Sequence, residues 1–120
     1  MRIAYLNDTY TPAVNGVIVA LDLLVEEMLK RKHKVAMYVP AYGIEGSTKR
    51  EKGMMIERFA SVPVPTYKDF QIVMLDYPRL AASLDKFNPD VIHTHSPGVI
   101  GLAGMVWAKR HNKPVVGTYH

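Results

Sequence analysis

The chain has no cysteine among its 120 residues, which excludes a disulfide-stapled scaffold and any thiolate metal site and fits an intracellular protein. It also lacks any long hydrophobic run. No stretch approaches the roughly 20 apolar residues needed to span a bilayer. The uncharged segment from Ser96 to Ala108 is too short for that and opens like the helix of a soluble domain. Met1 to Leu6 is too brief an apolar segment before Asn7 and Asp8 to read as a signal peptide. There is no Gly-x-Gly-x-x-Gly after a strand and no Walker sequence, so neither dinucleotide nor P-loop binding is expected. Ser96 precedes a proline, outside any Gly-x-Ser-x-Gly elbow, which disfavours a Ser–His–Asp hydrolase. Internal repeats and low-complexity tracts are absent as well.

What remains is the composition of one ordinary globular domain: 48% hydrophobic, 22% charged, and long enough to bury a core. The formal net charge of +4 sits mainly in two clusters, Lys30-Arg31-Lys32-His33-Lys34 and Lys49-Arg50-Glu51-Lys52. These read as a solvated helix end and a solvated loop, or as an attraction to anionic headgroups or a phosphorylated substrate. No aromatic platform is interleaved with the charge, so nucleic acid is not an expected partner.

The pattern along the chain alternates strand and helix. Arg2 to Leu6 is a first strand, followed by a turn-rich loop to Gly16. From Val17 a helix begins, with Val17, Leu21, Leu24 and Met28 in one stripe. Val35 to Val39 is the next strand, stopped by Pro40. Ala41 to Lys52 reads as a loop, Met54 to Phe59 as a strand, and Val62 to Pro65 as extended because each proline biases its predecessor away from helix. Ile72 to Leu75 fits a strand or a loop. Leu80, Leu84 and Phe87 mark a short helix from about Pro78 that ends at Asn88-Pro89.

The last quarter is the most legible. Asp90 to His95 reads as a strand, and Ser96-Pro97 as the N-cap and first residue of a helix. Lys109, Arg110 and His111 suit the negative end of that helix's dipole. Val115 to His120 reads as a second buried strand. Strand, helix and strand within about thirty residues form a βαβ unit. Two such units imply an α/β fold, a Rossmann-like doubly wound parallel sheet. Functional groups of these sheets gather at the carboxyl ends of the strands, where His93, His95, Ser96 and His120 fall.

Each candidate has a plainer reading beside it. Gly16 opens the first helix, so it either admits an anionic group to the free N–H groups there or only makes a turn. His93 and His95 share a strand face, a spacing that suits metal ligands, but no carboxylate is placed with them and no metal is expected. His93 fits a packed role. His95 and His120 are nearer the substrate end, and Asp8 could serve as a loop cap. Gly98, Gly101 and Gly104 suggest close packing of helix on sheet.

Three stretches taken together, Asn7 to Gly16 with its helix, His93-Thr94-His95-Ser96-Pro97-Gly98, and Gly117-Thr118-Tyr119-His120, resemble the N-terminal domain of retaining GT-B glycosyltransferases of glycosyltransferase family 4. Thr11-Pro12 with Asn15-Gly16-Val17, and Pro89 to His93, are also typical of it. The resemblance covers nearly the whole chain. It implies an N-terminal domain that binds mainly the acceptor, a C-terminal one that binds a nucleotide-sugar, and transfer in the cleft between them without a cofactor. On this reading residues 1–120 are an incomplete acceptor-side domain, inactive alone, with the nucleotide-sugar domain absent. Gly16 would approach the donor diphosphate, with Asn15 beside it in the substrate site. His120 would contact the donor sugar near the reacting carbon and act as the catalytic residue. Asp8 falls in the acceptor-side loop, and His95-Ser96 would line the cleft floor. A lipid or phosphorylated small molecule is the expected acceptor, and the expected location is cytoplasmic, with peripheral contact at the inner face of the membrane left open. The alternative is a non-catalytic Rossmann-like binding module.

Overall fold

In the first strand, β1 (Arg2–Leu6), every residue from Ile3 onward is buried, as a strand covered on both faces must be. Successive side chains take opposite faces, and the two cores of the molecule divide accordingly. Ile3 and Tyr5 pack on one side, Ala4 and Leu6 on the other. The computed structural model describes residues 1–10, 16–65, 67–95 and 98–117.

The remaining elements follow in order: α1 (Gly16–Lys30), β2 (Lys34–Pro40), β3 (Ser47–Glu51), β4 (Met54–Phe59), β5 (Ser61–Val64), β6 (Tyr67–Val73), α2 (Tyr77–Phe87), β7 (Val91–Thr94), α3 (Val99–Arg110) and β8 (Val115–Gly117). Six strands make one sheet in the order β3-β4-β2-β1-β7-β8. All neighbours in it are parallel except β3, which runs antiparallel to β4. The strands β5 and β6 form a separate antiparallel ribbon.

Helix α1 lies on the face of Ile3 and Tyr5, burying Ile18, Leu21 and Val25 against Val35, Met37 and Ile56. Those three residues, spaced three and four apart, are the helix's inward stripe. On the other face Leu80 and Leu84 of α2 and Ile100 and Trp107 of α3 meet Leu6, Tyr38, Phe59 and Ile92. The expected doubly wound sheet is therefore present, with β1 at its centre. A Cβ built on Gly104 of α3 would overlap the Leu6 side chain, so the glycine lets the helix approach β1 closely. The boundaries of α2 follow from its caps. The Asp76 carboxylate accepts from the Arg79 N–H at 3.1 Å, and Asn88 ends the helix in the left-handed region at φ 52°.

Three expectations need correction. The segment 41–52 is not loop throughout, because Ser47 to Glu51 pair with β4 through a tight turn at Lys52-Gly53. Both turn residues have positive φ, 52° and 81°, as a two-residue turn matched to strand twist requires. Its mostly charged sequence carries no alternation to announce a strand, yet charge suits a sheet edge. The strand at Val115 is exposed rather than buried, with Val115 at 39% and Val116 at 47%, because β8 lies at the sheet's other edge. Finally, α3 starts at Val99 with Gly98 in the N-cap position, past the expected Ser96-Pro97 start. Its cap comes from elsewhere in the chain.

Candidate functional site

The carboxyl ends of β2, β1 and β7 are tied together by the two residues that follow β1. Asn7 is fully buried. Its backbone N–H donates to the Tyr38 carbonyl at 3.0 Å, and its side-chain Oδ1 accepts from the His95 N–H at 3.2 Å. One side chain thus links the ends of β1 and β7, and its backbone links β1 to β2. Asn7 is a site residue that sequence reasoning missed; a polar residue placed directly after a buried strand was the available signal.

Asp8 provides the missing cap of α3. Its Oδ1 accepts from the Ile100 N–H at 2.9 Å and its Oδ2 from the Gly101 N–H at 3.2 Å. These are orphan donors of the helix's first turn, at the positive end of its dipole. Burial pushes the Asp8 carboxyl above the usual carboxylate range, against the opposing pull of backbone N–H groups from Ile100, Gly101, Val99 and Gly98. Gly98 is explained by the same contact, because a Cβ there would fall on the Asp8 carboxylate. Of the two readings of Asp8, loop cap and acceptor-side group, the hydrogen bonds describe the first directly.

Gly16 behaves differently. It begins α1, has no positive φ, and a Cβ built there meets no described atom within 4 Å. Packing explains Gly98 and Gly104 but not Gly16. Gly16 thus places no side chain over the first turn of α1.

His93 and His95 share a face, as their spacing requires, and their rings stack at 4.3 Å between centroids. Tyr5 joins them at 5.2 Å from His93 and 5.9 Å from His95. The column lies on the α1 face, and burial holds the His93 imidazole below its ordinary pKa. No group of three metal ligands gathers among the described residues. Nearby, the buried Tyr10 hydroxyl donates to Asp22 at 3.0 Å, and its N–H donates to the Tyr42 hydroxyl at 3.2 Å, which fixes the start of the loop leading to Gly16. Burial, reinforced by the Asp22 charge, pushes the Tyr10 phenol well above its ordinary range. The structure therefore brings Asp8 and His95 to one edge through Asn7 and α3. Asn15, Ser96 and His120 lie outside the described residues.

A doubly wound sheet with its polar contacts gathered at the carboxyl edge is the architecture of a Rossmann-like GT-B half, and the fold agrees. Sucrose-phosphate synthase from Thermosynechococcus elongatus matches with a TM-score of 0.60 at 18% identity, over 100% of this chain and 33% of that one. The sequence model of Glycosyltransferase Family 4 matches residues 14–120, and the chain belongs to that family. Among its relatives is the alpha-monoglucosyldiacylglycerol synthase of Streptococcus pneumoniae, 31% identical over 121 residues, covering 100% of this chain and 26% of that protein. The GDP-mannose-dependent alpha-mannosyltransferase of Corynebacterium glutamicum is 29% identical over 120 residues, covering 99% of this chain and 29% of that protein. The chain thus spans about a quarter to a third of the length of these curated relatives. No helix among the described residues is long and apolar enough to cross a membrane.

Proposed function

We propose that this chain is the acceptor-side part of a retaining glycosyltransferase that moves a sugar from a nucleotide-sugar to a lipid or other small acceptor. In such a transfer the bond between the anomeric carbon and the donor phosphate breaks, and a new bond to the acceptor oxygen forms on the same face. The charge that develops on the leaving diphosphate needs preorganised donors. The N-terminus of α1 would contribute through the positive end of its dipole, with the Gly16 backbone as the point of closest approach.

The observation that carries this reading is Gly16 at the first position of α1, where a Cβ would meet no described atom within 4 Å. Family membership supports it. The names of two relatives, one for a diacylglycerol glycolipid and one for GDP-mannose, fit a lipid acceptor and a nucleotide-sugar donor. Asn15 would add an amide beside the diphosphate, and His95 and Ser96 would line the cleft floor. His120 would donate a hydrogen bond near the reacting carbon. The remaining donor contacts belong to a second domain, so residues 1–120 alone carry out no transfer. The protein works in the cytoplasm, at the membrane's inner face when its acceptor is a lipid, and without nucleic acid.

The test uses the full encoded protein with nucleotide-sugar donors. Gly16→Ala is expected to lower turnover about tenfold or more by displacing the diphosphate. Its stability should change by no more than about 0.5 kcal/mol, because the added methyl meets nothing in the fold. His120→Ala should lower turnover by on the order of a hundredfold per folded molecule. If both variants turn over normally while folded, the α1 edge is not the donor site.

A further inference from the structure

The opposite edge of the sheet, where the parallel strands begin, holds a cavity of about 660 Å³. Four cations point toward it on the α2 side of the sheet: Arg2 at the start of β1, Lys34 at the start of β2, Arg50 on β3, and Lys86 near the end of α2. They come from four separate stretches of sequence, which the hairpin β3–β4 and the helix α2 bring around one space. The sole carboxylate among the lining residues, Glu57, is already engaged by Arg79 at 2.9 Å and by the Thr48 hydroxyl. It forms no ion pair with the four cations, and the other carboxylate at this edge, Asp90, accepts the Arg2 backbone N–H at 2.7 Å.

Their lack of ion-pair partners is not general to the protein's surface. Lys30 and Arg31 on α1 pair with Glu26 and Glu27 at 3.5 and 3.1 Å, whereas none of the four cations of the cleft enters an ion pair among the described residues. Arg2 is also held in place. Its Nε donates to the Phe87 carbonyl at 2.6 Å and its guanidinium lies 4.5 Å above the Phe87 ring, which leaves the two terminal nitrogens for a ligand. Clustered like charges repel, so the arrangement favours a bound group with at least two negative charges. The volume lies within the range of small-molecule sites. Met55 and Phe87 add apolar surface to the lining, which suits an organic phosphate better than a bare ion.

We infer that this amino-edge cleft binds a phosphate or diphosphate group carried on an organic body, separately from the carboxyl edge. The ligand is either a soluble phosphorylated metabolite or the headgroup of an anionic phospholipid; both present the same phosphate chemistry to the same cations. The site does not depend on the proposed transfer reaction.

Two probes separate the sources: pyrophosphate in solution, and vesicles of phosphatidylglycerol in phosphatidylcholine, each added to the full encoded protein at low salt where screening is weak. Lysine acetylation read by mass spectrometry locates the binding. The bound probe should protect Lys34 and Lys86 but not Lys30 or Lys32. The variant Lys34→Gln/Arg50→Gln/Lys86→Gln should lose at least about tenfold in affinity for whichever probe binds. Lys30→Gln/Arg31→Gln/Lys32→Gln removes the same charge from α1 and the turn after it and should keep the affinity. Binding of pyrophosphate identifies a soluble ligand, and binding of vesicles alone identifies a headgroup. Equal losses in the two variants would overturn the inference, as would unprotected cleft lysines in the native protein or no binding of either probe.

Discussion

At the carboxyl edge of the sheet Asn7 and Asp8 are answered from within the fold, whereas at the amino edge four cations have no ion-pair partner among the described residues. Asn7 and Asp8 spend their hydrogen bonds on His95 and on the first turn of α3, and the close fit leaves Gly98 no room for a side chain. Arg2, Lys34, Arg50 and Lys86 gather around a cavity and form no ion pair among the described residues. The difference teaches how to sort polar residues in such a sheet. Groups satisfied internally hold the edge in shape, and substituting them costs stability. Exposed cations without an ion-pair partner, such as Lys86, cost the fold little when removed, and their arrangement around a space is what the proposed ligand accounts for.

The comparison breaks most visibly at Gly98. Gly98→Val would collide with the Asp8 carboxylate, displacing it from the α3 N–H groups while overpacking the edge. Denaturant unfolding should show a loss of about 2–4 kcal/mol. A smaller loss, about 1–2 kcal/mol, is expected for Asp8→Ala, which leaves the Ile100 and Gly101 donors unpaired.

Asp8→Asn sharpens the point, since it keeps an acceptor and removes the charge. Burial raises the folded-state pKa of Asp8 above its ordinary value of 3.8. Its protonation therefore favours the folded state, a contribution fully present below 3.8 and lost as pH rises through the folded pKa. The stability of the native protein relative to Asp8→Asn should accordingly fall as pH is raised from 3 to 7, across the window that starts at 3.8. A difference that grows with pH would show that the N–H groups of α3 outweigh desolvation. The smallest effect belongs to the amino edge. Lys49→Gln and Lys86→Gln, single exposed changes without ion-pair partners, should each move unfolding by no more than about 0.5 kcal/mol.

Legibility in the sequence followed the range of the interactions. The central strands β1, β2 and β7 and the helix α2 were readable because local patterns and caps such as Asn88 decide them. The strand β3 was not, since Ser47 to Glu51 is held by pairing with β4 and carries almost no apolar residue. The start of α3 was placed too early because Ser96-Pro97 looks like a local cap, while the side chain that caps the helix is Asp8, on the far side of the sequence. Of the site, the gathering of groups at the carboxyl edge was foreseeable from strand direction alone. The link from Asn7 to His95 was not, because nothing near either residue specifies the other. The amino-edge cleft was visible only as separate basic clusters, until the fold set them around one cavity.

The central place of β1 also has a consequence for synthesis. Its Ile3 lies opposite Val35 on one flank and opposite Val91 on the other. The ribosome makes β1 well before β7, so β1 can gain its first neighbour early but must wait for its second. At roughly 5–20 residues per second, that wait lasts roughly 4–18 seconds. During it one flank of an almost wholly apolar strand has unpaired backbone groups, and α3 has not yet appeared to cover Leu6. Nascent chains stalled shortly after Pro40 should therefore recruit holding chaperones, and release should come only when β7 and the helix capped by Asp8 have cleared the exit tunnel.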